Sequence, residues 1–212
     1  MKGQTKSHPM NSSLNSNLIL ALTLFAVVSS ITPGPNNTMM LASGVRFGLR
    51  RSLPHLAGIS LGFGFMLVVV GLGLHAVLHD YPIVLDILRY VGSAYLLWLA
   101  YQLATAPPPS AATTDTARPM GFWAAAAFQW VNPKAWVMAM TAMTTYLPEN
   151  AQSWHVLLVA AWFALINVPC VGAWASFGRA MRTYLQDPLL SRIFNITMAL
   201  ALVASLYPML VG

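Results

Sequence analysis

The stretch Thr32-Pro33-Gly34-Pro35-Asn36-Asn37 decides the fold, because it interrupts an apolar run that has to cross a membrane. The run ahead of it, Leu18 to Ile31, is 14 residues long, whereas a helix needs about 20 to span the hydrocarbon. The chain therefore has to pass through Pro-Gly-Pro to Gly44 before the crossing is complete, which puts the interruption inside the bilayer. A second interruption, Asn132-Pro133-Lys134, holds the matching place in the other half, Pro133 standing 100 residues after Pro33. Two broken helices in pseudo-repeated positions point to a substrate site at the midplane, the arrangement found in secondary transporters.

The composition agrees, since 57% apolar and 8% charged residues leave too few charges to cover a soluble surface. The net charge of +6 is then informative through its placement, not as a nucleic-acid footprint. Six apolar stretches, roughly 18–44, 54–78, 83–104, 121–147, 154–178 and 189–210, are long enough to cross as helices. Arg46, Arg50 and Arg51 follow the first, Arg118 precedes the fourth, and Arg179, Arg182 and Arg192 separate the fifth from the sixth. These connections should be cytoplasmic, and the other two, which carry His79, Asp80 and Glu149 but no Lys or Arg, external, so that both termini lie outside.

Three crossings per half is an odd number, so the halves are inverted. The fold expected is an all-α membrane protein of six transmembrane helices in a 3+3 inverted repeat, with helices one and four broken at proline motifs. Residues 1–17 form a flexible polar tail, with Met10 a second candidate start; a six-helix domain covers 18–212. Its half-repeats are 18–104 and 121–211, joined by a linker at 105–120 that is rich in Pro, Ala and Thr.

Pro33 and Pro35 have no N–H, and each ring clashes with the carbonyl four residues earlier, so the carbonyls of Ser29 and Ile31 lose their helical partners. Bare carbonyls in hydrocarbon cost several kcal/mol each unless they line a cavity or meet a polar ligand. The half-helix restarting near Asn36 turns free N–H groups and a positive dipole end toward an anion. Asn132 is placed to cap a second half-helix with Pro133 at its first position, freeing the carbonyl of Gln129. Donors for a carboxylate beside acceptors for an ammonium suit an amino acid. A kink made for packing alone would need neither a second proline nor two amides.

The expected substrate-binding set is Thr32, Pro33, Gly34, Pro35, Asn36, Asn37, Gln129, Asn132, Pro133 and Lys134. Lys134 lies near the bilayer centre, where an ammonium costs about 2.5 kcal/mol or more. It could pair with a substrate carboxylate, carry a coupling proton, or hold freed carbonyls across the repeat axis. Lys134, Met138, Thr141 and Thr145 fall on one helical stripe. No Asp or Glu lies clearly at mid-membrane, so the coupling candidates are Lys134, Asp86 and His55. Asp86 is also one turn from Arg89, in reach of an interfacial ion pair, and His55 and His75 lie near opposite ends of the second span. Asn167 with Pro169 either lines the cavity or packs a kink, and Gly58-Ile59-Ser60-Leu61-Gly62 fits the close-packing motif of membrane helices.

These residues carry a family resemblance. Thr-Pro-Gly-Pro-Asn at 32–36, the Arg/Gly-rich turn at 44–51, Gly92-Ser93-Ala94-Tyr95-Leu96-Leu97-Trp98-Leu99-Ala100 and Asn132-Pro133-Lys134 resemble the LysE/RhtB family of bacterial amino-acid exporters. The resemblance runs from Leu18 onward. Within the family, Pro33 to Asn37, Gly58 to Phe63 and the segment from Phe122-Trp123 through Phe128-Gln129-Trp130-Val131-Asn132 look most like the branch that exports cysteine and O-acetylserine. The resemblance implies a multi-pass inner-membrane carrier that expels small amino acids or their derivatives, driven by the proton gradient; a homoserine, threonine or leucine type of substrate is the alternative.

Other classes fit the residues poorly. A membrane thiol-disulfide carrier needs paired cysteines, and Cys170 stands alone. A metal-ion exporter needs clustered ligands, and an intramembrane enzyme a nucleophile beside its base; neither spacing occurs. No catalytic residue, metal site or cofactor is expected. The expected partners are a small amino acid, a proton as coupling ion and the lipid bilayer, with homo-oligomerisation left open and nucleic acid excluded.

Overall fold

Continuous apolar sequence in lipid leaves the backbone no partner but itself, which helix satisfies within one segment. The computed structural model describes residues 10–74, 83–107, 118–148 and 151–207, and every regular element among them is helical. They are α1 (Met10–Ile31), α2 (Pro35–Val69), α3 (Ile83–Ala104), α4 (Phe122–Phe128), α5 (Pro133–Thr145), α6 (Ser153–Met181) and α7 (Pro188–Ala204). Helix is already present at Met10, ahead of the expected start at Leu18. His75, His79, Asp80, Glu149 and the side chain of Arg89 lie outside the described residues, and with them the expected Asp86–Arg89 pair.

α2 is two arms joined at one residue. Gly48 has φ 74 and ψ 174, a conformation open essentially to glycine alone. The hydroxyls of Ser43 and Ser52, on either side of it, are 2.8 Å apart. Nine residues of continuous helix would separate them by about 13 Å, so the chain folds back at Gly48. The turn expected over residues 44–51 thus reduces to a single non-helical position. The second arm ends in a π-helical turn, Val70–Leu74.

The most extensive packing is between α2 and α6. On α6, Val159, Ala160, Phe163, Asn167, Val171 and Ala175 are buried, while Leu157, Leu158, Leu165, Val168 and Phe177 are exposed. A helix apolar on both its inner and outer faces is one whose outer face meets lipid. Phe163 sits between the rings of Phe25 and Phe63, at centroid distances of 5.8 and 5.6 Å, and ties α1, α2 and α6 into one core. Gly58 and Gly62 face α4 as the close-packing motif anticipates: a Cβ on the first would meet the Phe122 carbonyl, and on the second Ala126. α3 packs on α7 through Leu96, Ala100, Ala199 and Leu202.

Among the described residues, two helical stretches, Pro35–Gly73 and Ser153–Met181, are long and apolar enough to cross a membrane; Ser16–Ile31 and Pro188–Ala204 are apolar but shorter. Pro35–Gly73 folds back at Gly48, so this count follows helix length along the chain and does not number the crossings, of which six were expected.

Candidate functional site

α1 closes at Ile31 and α2 opens at Pro35, so the backbone leaves helix between them; Gly34 is extended and gives no side-chain cap. On the other side, α4 passes through a 3₁₀ turn, Gln129–Val131, to Asn132, whose Oδ1 accepts the Lys134 N–H at 3.1 Å and caps α5. The two interruptions meet. The Lys134 ammonium donates to the Thr32 carbonyl at 2.7 Å, the Thr32 hydroxyl at 3.0 Å and the Pro33 carbonyl at 3.3 Å. Asn36 and Gln129 exchange amide hydrogen bonds of 2.8 and 3.2 Å. Gln129 also donates to the Ala125 carbonyl at 2.9 Å.

The carbonyls freed by proline are served by side chains. Ser29 accepts from the Thr32 hydroxyl at 3.1 Å, and Ile31 from the Trp174 indole at 3.0 Å. Asn37 donates to the carbonyls of Ser30 and Thr32 at 2.8 and 2.7 Å. The Gln129 carbonyl, expected to be free, accepts from the Asn132 N–H at 3.3 Å because the 3₁₀ turn brings it within reach. In this conformation acceptors anticipated for a ligand ammonium are therefore held by Lys134, Asn37 and Trp174.

Beside this junction lies a cavity of about 20 Å³, lined by Ser30, Gly34, Asn36, Asn37, Asn132 and Lys134, among others. That is room for about one water molecule. Asn37 Oδ1 is buried there without a partner among the described residues, and a buried amide oxygen left bare costs about 1–3 kcal/mol until something donates to it. A Cβ at Gly34 would stand 2.9 Å from Lys134 Cδ, so the lysine side chain would have to shift, while the extended backbone there suits any residue.

Of the expected set, Gly34, Asn36, Asn37, Asn132 and Lys134 line the cavity. Thr32, Pro33 and Gln129 form its polar frame through the bonds above, while Pro35 and Pro133 begin the two half-helices. Asp86 is exposed at the start of α3, and His55 lines a different cavity, so neither joins this site. Met138 lines the cavity with Lys134, but Thr145 at the end of the proposed stripe is exposed.

Sequence reasoning missed Ser30 and Ser60. Buried Asn167 donates to the Ser30 hydroxyl at 3.2 Å and accepts from that of Ser60 at 2.9 Å, so it lines the cavity and ties α6 to α1 and α2. The available signal was a serine one position before the freed carbonyl of Ile31. Trp174 gave none, since an indole in an apolar helix reads as packing.

A family model described as LysE type translocator matches residues 27–205. The chain is 37% identical over 194 residues to the cysteine/O-acetylserine efflux protein of Salmonella typhimurium, covering 88% of this chain and 94% of that protein. With the cysteine/O-acetylserine efflux protein of Escherichia coli strain K12 the identity is 35% over 189 residues, at 88% and 94% coverage. No solved structure matches the chain significantly.

Proposed function

The chain belongs to the LysE type translocator family, and on that premise we propose that it exports small amino acids, cysteine and O-acetylserine first among them, across the bacterial inner membrane. Six crossings in a 3+3 inverted repeat carry both termini outside, and the interruptions at 32–34 and 132 lie at the midplane. The carrying observation is the junction itself: Lys134 of one half grips the backbone of Thr32 and Pro33 in the other, beside a polar cavity.

A cavity of about 20 Å³ is too small for an amino acid, so this conformation is the collapsed one. Substrate enters when the halves part and Lys134 exchanges its carbonyl acceptors for the substrate carboxylate. The amides of Asn36, Asn37 and Asn132 orient that carboxylate, and the released carbonyls of Thr32 and Pro33 receive the ammonium. Rocking the inverted halves about this fixed site exposes it to each side in turn. Among the described residues Lys134 is the one ionisable side chain lining the cavity, which favours it over Asp86 and His55 as the residue that couples transport to protons.

The test is uptake of labelled cysteine and O-acetylserine into everted vesicles energised by a proton gradient. Wild type accumulates label, and Lys134→Met at normal protein level loses at least about tenfold in rate, the loss of one desolvated charge contact. Uptake in Lys134→Met equal to wild type would remove the lysine from the site.

A further inference from the structure

A second cavity, of about 170 Å³, opens where the two arms of α2 meet α3, and its walls include Ser43, Arg46, His55, Leu99, Gln102 and Leu103. Two of these side chains lack the partners their chemistry asks for. Arg46 is half-buried, and among the described residues its guanidinium has no hydrogen bond or ion pair, only the Phe47 ring 6.0 Å away. The only carboxylates among those residues are Asp86, exposed at the start of α3, and Asp187, which caps α7. His55 is 2% exposed, and neither ring nitrogen has a hydrogen-bond partner among the described residues. Nearly all buried polar groups are paired, so the orphaned imidazole calls for a partner, and among the described residues the guanidinium in the same cavity wall has no carboxylate to meet. A planar anion with two oxygens would meet the fork of Arg46 and, once the closed-off His55 ring turns toward the cavity, accept from its N–H.

The position of this cavity suggests what that anion is. Asn36, Met39, Ser43 and Arg46 follow one another at spacings of three and four residues along the first arm of α2, on one helical face. Asn36 lines the first cavity, while Met39, Ser43 and Arg46 line the second. Arg46 therefore stands about 15 Å along the same helix from the junction, on the side that the arginine-rich connections make cytoplasmic.

We propose that this second cavity is an entry subsite, in which Arg46 and His55 take the carboxylate of a cytoplasmic amino acid before it moves along α2 to the junction. The subsite rests on the export reading above. It selects for a free carboxylate at the cytoplasmic mouth, while the junction performs the crossing.

Initial rates of labelled O-acetylserine uptake into everted vesicles, which present the cytoplasmic face to the medium, test this. Arg46→Gln should raise KM by at least about tenfold, with the maximal rate within about twofold of wild type. Arg46→Lys, which keeps the charge but not the fork, should fall between. His55→Ala should raise KM in the same sense, and covers the case in which Arg46→Gln fails to fold. An unchanged KM in either folded variant overturns the subsite. Repeating the series in vesicles without anionic lipid separates a lipid phosphate from the substrate: if Arg46→Gln then matches wild type, the guanidinium serves a headgroup and the subsite is refuted. Wild-type vesicles that take up no amino acid would instead overturn the export reading, and the subsite with it.

Discussion

The reciprocal amide pair between Asn36 and Gln129 is the most direct place to separate scaffold from site. Gln129 is 0% exposed, and among the described residues the one donor to its Oε1 is Asn36 Nδ2 at 2.8 Å, whereas its Nε2 keeps the Ala125 carbonyl. Asn36→Ala therefore strands a fully buried oxygen. Such an orphan costs about 1–3 kcal/mol, and because interhelical hydrogen bonds in membranes average near 0.6 kcal/mol, about 1–2 kcal/mol is expected. Gln129→Leu leaves the Asn36 amide beside the cavity, where water can serve it, and should cost about 1 kcal/mol or less. The double variant has no orphan and should be less destabilised than the sum of the singles by about 1 kcal/mol. Unfolding titrations of the purified protein in mixed micelles measure all four corners. Additivity to within about 0.3 kcal/mol would refute the pairing. Uptake in vesicles supplies the second readout: it stays low in the double variant, because both amides are gone, even as stability partly returns. Recovery of uptake along with stability would make the pair scaffold alone.

Two further substitutions probe the frame that holds the junction. Gly48→Ala forces a Cβ into the φ 74, ψ 174 turn and should destabilise by about 1–3 kcal/mol, seen as a lower melting temperature in detergent; an unchanged value would mean the arms of α2 are not folded back there. Gly58→Leu drives a side chain into the Phe122 carbonyl of α4 and should cost about 1–3 kcal/mol or prevent accumulation of the protein, whereas wild-type stability would deny the close packing that brings Gln129 to Asn36.

The interruption at 32–34 was legible because proline removes a donor whatever surrounds it, and the cap of Asn132 on α5 because an asparagine before proline at a helix start is a local signal. The reversal at Gly48 was legible only as a turn somewhere between Gly44 and Arg51, since glycine permits positive φ at several places and packing chooses among them. Asn167 could not be resolved between cavity and kink, because its partners Ser30 and Ser60 are 137 and 107 residues away in sequence.

By itself, the chain of residues determined that helices must form, where proline and glycine break them, and that polar groups left at the breaks need partners, since each of these depends on covalent geometry and on the solvent. Which partners they take was decided by the tertiary structure alone. Lys134 reaches Thr32 and Pro33, Trp174 reaches Ile31, and Arg46 and His55 share a cavity that no carboxylate lines among the described residues. Hydrogen bonds act over about 3 Å, and only the packing of helices brings residues so distant in sequence within that range.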